Sequence, residues 1–131
     1  MAAREPISAS EAPVPGGPYS HAVRAGDLVF TAGQIGTDPG TGELDGTTAA
    51  EQARRALGNL ATILDAAGSG LDRLVKVTVL LVDIGDWESV NQVYAELVPQ
   101  PFPARSAFAV SQLPKGARVE IEAVAVAGDP G

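Results

Sequence analysis

At 131 residues with one histidine and no cysteine, the chain has room for one domain with one core, and none for a disulfide, a thiolate nucleophile or a zinc site built on several histidines. A net charge of −7, with nine Lys and Arg in total, gives little electrostatic support for non-specific nucleic-acid binding. No apolar run is long enough to span a bilayer and the N-terminus lacks the apolar core of a secretory signal, so a cytoplasmic protein with no membrane partner and no cofactor is expected.

Residues 1–17 are rich in Ala, Pro, Ser and Gly without periodicity and read as an irregular arm, leaving 18–131 as the single domain. Pro18–Val23 and Leu28–Gln34, joined through Ala25-Gly26-Asp27, predict a β-hairpin. Tyr19, beside Gly17-Pro18, is either a packing and turn residue or a pocket residue. His21 reads as a surface or packing residue rather than a general base. Residues 37–47 (TDPGTGELDGT) form a loop without the spacing of a phosphate-binding motif.

Thr48 followed by Glu51 is a capping-box pattern, and Ala53, Leu57, Leu60, Leu64 and Ala67 continue at helical spacing up to Gly68. Leu74–Val82 (LVKVTVLLV) predicts a central strand whose less dry face carries Lys76 and Thr78. Asp86 can cap a second helix bearing Trp87, Val90, Tyr94 and Leu97, which Pro99 stops. Asn91 and Tyr94 on that helix are either packing residues or polar fittings of a pocket.

The stretch from Pro99 to Val126 concentrates the candidate chemistry. Pro101 and Pro103 stiffen the approach to Arg105, which alternates with Phe108 in a strand pattern and so points to the opposite face. After the turn at Pro114-Lys115-Gly116, Val119, Ile121 and Ala123 share one face of a last strand, with Glu120 and Glu122 on the other. Arg105 and Glu120 are either solvated face residues or a site, the guanidinium gripping a carboxylate and the glutamate acting as acid or base.

The order of elements predicts an α+β fold, two helices on one face of a mixed sheet. The other face, expected to carry Arg105, Glu120, Glu122 and Lys76 among apolar residues, calls for association with further subunits. If the last two strands are antiparallel neighbours, Arg105 lies level with Val126, about 20 Å from Glu120 along the strand at roughly 3.3 Å per residue. A site that uses both then draws them from different subunits.

Gly17-Pro18-Tyr19, Val29–Ile35 (VFTAGQI), the helix start near Thr48, Lys76–Val79, Val90-Asn91 with Tyr94, Pro103-Ala104-Arg105-Ser106, Phe108, Leu113 and Val119-Glu120-Ile121 together resemble the RidA/YjgF family of reactive-intermediate deaminases. The resemblance runs from Pro18 to Val126. It implies a chorismate-mutase-like α+β fold, a homotrimer with three equivalent pockets between subunits, and hydrolysis of 2-imino acids or their enamines, of the 2-aminoacrylate and 2-aminocrotonate type, to 2-keto acids and ammonia. On that reading Arg105 clamps the substrate carboxylate, Tyr19 helps orient it, Asn91 lies near the site, and Glu120 deprotonates a water and returns the proton to the leaving nitrogen. Family members often carry Ser where this chain has Ala32 and Cys where it has Ala107. A missing hydroxyl contact at 32 would weaken binding by about 0.5–1.5 kcal/mol, and Ala107 is harmless if its backbone carbonyl holds the water. Two rival readings are a trimer that binds a carboxylate metabolite or a protein without turnover, and a ribonuclease or translation inhibitor, which the acidic composition disfavours.

Overall fold

The computed structural model describes residues 3–128. Seven strands form one mixed sheet and two helices pack on one of its faces, as the sequence order predicts. The strands are β1 (Arg4–Ile7), β2 (Ala22–Ala25), β3 (Leu28–Thr31), β4 (Gln34–Ile35), β5 (Leu74–Leu81), β6 (Ala104–Ala109) and β7 (Val119–Val126). Their spatial order is β1-β2-β3-β7-β5-β6, with β4 also pairing with β7. The helices are α1 (Ala49–Ala66) and α2 (Trp87–Leu97).

The predicted hairpin forms as β2 and β3 across Gly26-Asp27. Gly26 holds φ at +59°, the left-handed backbone that a glycine-first, two-residue hairpin turn requires. The arm expected to be irregular contributes a strand, because β1 pairs antiparallel with β2 from Arg4↔Ala25 to Ile7↔Ala22. This strand has no apolar alternation, being exposed over Arg4–Pro6, and Pro6 is tolerable only because β1 is the sheet's edge.

Helix α1 carries the complete capping box: the Thr48 side chain accepts from Glu51 N–H, and the Glu51 carboxylate accepts from Thr48 N–H at 3.1 Å. The Thr48 hydroxyl also donates to the Glu51 carboxylate at 2.9 Å, and this bond first, then those from Thr48 and Thr47 N–H, holds the Glu51 carboxyl below its usual range. Leu57, Leu60, Ile63 and Leu64 are at most 1% exposed and bury the helix's apolar stripe on the sheet. Asp86 precedes α2 but makes no capping bond with its side chain; its carboxylate accepts from Arg118 at 3.3 Å instead.

Two expectations about the last strands are corrected. Strands β6 and β7 do run antiparallel, but β5 lies between them, parallel to β6 and antiparallel to β7. The register runs Arg105↔Val77↔Ala123, so Arg105 is level with Ala123 rather than Val126. Arg105 also shares its face with Val77, Val79 and Ala107, the face the helices cover. Glu120, Glu122 and Lys76 alternate with the core residues and point to the other, open face. The sequence pattern inverted β6 because its aromatic residue, Phe108, faces out at 49% exposure while alanines fill the row beneath α2.

Candidate active site

The candidate residues fall into two groups on opposite faces of the sheet. Arg105 projects from the edge strand β6 toward α2, where one Nη donates to Asn91 Oδ1 at 2.6 Å. Its guanidinium carbon lies 4.7 Å from the centre of the Tyr94 ring and 5.5 Å from that of Trp87. Among the described residues no carboxylate comes within ion-pair distance of it. A cavity of about 290 Å³ opens beside it, lined by Asn91, Tyr94, Ala95, Phe102, Pro103 and Arg105. Ala107, the next residue on the same row, packs against the core under α2. This group can hold a carboxylate, because the guanidinium keeps most of its five donors free.

Glu120 belongs to the second group. It stands on β7 opposite Ile35 and reaches across to Gly33, where any Cβ would collide with its carboxylate. A side chain at 33 would have to push that flexible carboxylate end aside. Burial, and then the neighbouring Glu122 charge, push the Glu120 carboxyl above the usual carboxylate range. Gly33 also lines a cleft of about 340 Å³ with Tyr19, Gln34, Pro114 and Lys115. Tyr19 is 52% exposed there, and its hydroxyl accepts from Gly16 N–H at 3.0 Å. Ala32 is tied nearby by its N–H to the His21 carbonyl at 2.9 Å.

His21 is a residue whose role the sequence hid. It is buried, with Nδ1 accepting from Ala9 N–H at 3.1 Å and Nε2 donating to Pro13 O at 2.7 Å. Both ring nitrogens are thus used to fasten the segment that carries Gly16 to Tyr19. Spacing alone offered no signal for this, since the partners are backbone atoms twelve and eight residues upstream.

Within one chain the two groups do not meet. Arg105 and Glu120 stand two strand spacings apart, about 10 Å, and three residues apart in level, about another 10 Å. The intervening sheet separates their side chains.

Comparison with known proteins bears on what such a split arrangement is. Residues 9–127 match the Endoribonuclease L-PSP family. The chain is 48% identical over 125 residues to the human 2-iminobutanoate/2-iminopropanoate deaminase, covering 95% of this chain and 91% of that one. The chain belongs to the RidA/YjgF family. A RutC family protein of Sinorhizobium fredii, y4sK, is 52% identical over 120 residues, covering 92% of this RidA-family chain and 95% of the relative. Among solved structures, RidA from an Antarctic Psychrobacter superposes with a TM-score of 0.90 at 39% identity, covering 93% and 98% of the two chains. Escherichia coli TdcF, solved with bound serine, gives 0.89 at 38% identity, covering 95% and 99%.

Proposed function

We propose that this RidA-family chain hydrolyses 2-imino acids and their enamine tautomers to 2-keto acids and ammonia, at sites assembled between the subunits of a homotrimer. The observation that carries the reading is the division of the candidate residues, a free guanidinium on one face of the sheet and a carboxylate with a raised pKa on the other. Neither half is sufficient for the chemistry. A second subunit would bring its Glu120, Tyr19 and Gly33 group against the Arg105 group of the first. Apolar residues on or beside the open face support association: Phe30, Val75, Phe108 and Val126 are each at least 37% exposed.

The reaction needs three things of the chain. Arg105 takes the substrate carboxylate in a paired hydrogen bond, a contact that substrate, transition state and product share. Glu120 accepts a proton from water as the water oxygen bonds to C2, giving a carbinolamine. It then delivers that proton to nitrogen, and as the C–N bond breaks the carbinolamine hydroxyl gives its own proton to the Glu120 carboxylate, so that the carbonyl forms and ammonia departs, carrying that proton away as ammonium. A carboxyl held above its usual range is matched to both halves of this exchange, since it gains and returns a proton more readily near neutral pH. An iminium carbon is already electrophilic, so the chemistry calls for no cofactor.

Relatives named as 2-iminobutanoate/2-iminopropanoate deaminases, at 46–49% identity over most of the chain, support this substrate class. Serine bound to TdcF supports an amino-acid-like carboxylate ligand. The ribonuclease in the family's description has less support here. Arg54 and Arg55, the one adjacent basic pair, are tied to Glu96 and Asp45, and the single histidine is buried with both nitrogens engaged.

The test generates 2-aminoacrylate and 2-aminocrotonate in situ with a dehydratase and follows keto-acid release. Acceleration by the wild-type protein, lost in Arg105→Ala, is the expected result. An assembled wild-type protein that binds 2-oxobutanoate without accelerating release would leave a carboxylate-binding protein in place of the enzyme.

A further inference from the structure

Arg105 is held in its cavity by a face of α2 on which Trp87 and Tyr94 have not been given a task in the reaction. Trp87, Asn91 and Tyr94 are spaced four and three residues apart, so successive turns of α2 present them in one row. All three meet the same guanidinium, Asn91 through an acceptor oxygen and the two rings at 4.7 and 5.5 Å from Cζ. These are cation–π distances. Two rings and an amide restrict the guanidinium without neutralising it, whereas a carboxylate in their place would compete with an anionic ligand for the same donors.

The two rings sit differently. Tyr94 is 6% exposed and is braced by the core cluster beneath α2, so its ring is a fixed plate. Its hydroxyl is buried with no hydrogen-bond partner among the described residues, which leaves the ring face as the part that serves Arg105. Trp87 is 38% exposed and forms the outer plate at the start of the helix.

We propose that Tyr94 and Trp87 are positioning residues for Arg105, holding its guanidinium by cation–π contact so that its free donors face the carboxylate of a 2-imino acid. The inference rests on the carboxylate-clamp reading above. The carboxylate is the same in substrate, transition state and keto-acid product, so losing the aim of Arg105 removes uniform binding: KM rises and kcat stays. A purely structural role would instead lower the active fraction, reducing apparent kcat at unchanged KM.

The experiment titrates the assembled protein calorimetrically with 2-oxobutanoate, which keeps the carboxylate and has no imine, and measures kcat and KM on the same variants. Tyr94→Leu and Trp87→Leu are expected to raise Kd and KM together by about 5- to 10-fold, with kcat within about twofold of wild type. Tyr94→Phe and Trp87→Phe, which keep a ring, are expected to restore wild-type Kd. Unchanged Kd in both leucine variants overturns the inference, as does a loss in Tyr94→Phe equal to that in Tyr94→Leu. If Tyr94→Leu fails to assemble, Trp87→Leu on the outer rim decides alone. A wild-type protein that binds no 2-oxobutanoate overturns the clamp reading itself, a failure distinguishable from loss of positioning because it precedes any substitution.

Discussion

Arg105 and Glu120 are both charged residues on strands of one sheet, yet their surroundings treat them in opposite ways. Arg105 is met by three side chains of α2, and among the described residues no carboxylate lies within ion-pair distance of it. Glu120 rests against the backbone at Gly33, and burial and the nearby Glu122 make its charge costly. One surface is built to keep a cation and aim it, the other to hold a carboxylate ready to take a proton. On the proposed reading, binding and proton transfer are divided between the two faces of a single sheet.

The division is sharpened most by removing the proton acceptor. Glu120→Gln should lower kcat by about 10²- to 10⁴-fold while leaving the affinity for 2-oxobutanoate intact, as stopped assays and calorimetry on one preparation would show. A matching loss of affinity would mean that Glu120 is part of the clamp. The pH profile carries the same test. Because the folded-state pKa of Glu120 is raised, wild-type turnover should fall with decreasing pH at an inflection above the usual carboxylate range. The stability effect has the opposite sense: ionised Glu120 opposes folding at neutral pH, and this disappears as pH falls below the unfolded-state pKa. Glu120→Gln should therefore raise Tm at pH 7 and do so less in acid.

Gly33→Ala comes next in size. Its methyl would displace the Glu120 carboxylate, the end of a flexible side chain, so kcat should fall by about 10²-fold with little change in Tm. A wild-type kcat would show that the carboxylate does not work from its present position. His21→Ala tests the support of the same half, since it leaves Ala9 N–H buried without its acceptor. A loss of about 1–3 kcal/mol in urea unfolding is expected, whereas an unchanged midpoint would make the fastening incidental. The smallest effect belongs to the Arg105 half. Tyr94→Phe removes the partnerless hydroxyl and should stabilise by about 1 kcal/mol in the same unfolding experiment.

Much of the fold was legible because its signals are local. Thr48 and Glu51 announce the start of α1 through bonds that span three residues, and the apolar run of β5 marks a central strand. The face of Arg105 was not legible. Alternation gives parity and not direction, and Phe108 suggests that its own row is the core side, whereas the core side of β6 is the row of Arg105 and Ala107. Likewise β1 carries no apolar alternation, since Arg4–Pro6 are exposed, Ile7 alone packs on the core, and the strand is otherwise held by backbone pairing with β2. Arg105, Glu120, Tyr19 and Asn91 could be singled out from sequence and resemblance; their separation into two groups depends on β5 coming between β6 and β7. His21 and Gly33 act through backbone contacts and contribute no side-chain pattern that a sequence can display.

The central claim, that one chain's Arg105 works with another chain's Glu120, is tested most directly by mixing two inactive variants. Arg105→Ala and Glu120→Gln chains, each carrying a different affinity tag, are co-expressed, and oligomers containing both are purified through the two tags in turn. In random closed assemblies about a quarter of the sites would join an intact Arg105 to an intact Glu120, so turnover should return to about that fraction of wild type, somewhat more after selection for mixed species. Mixed oligomers as inactive as either parent would contradict the account and place both residues' work within a single chain.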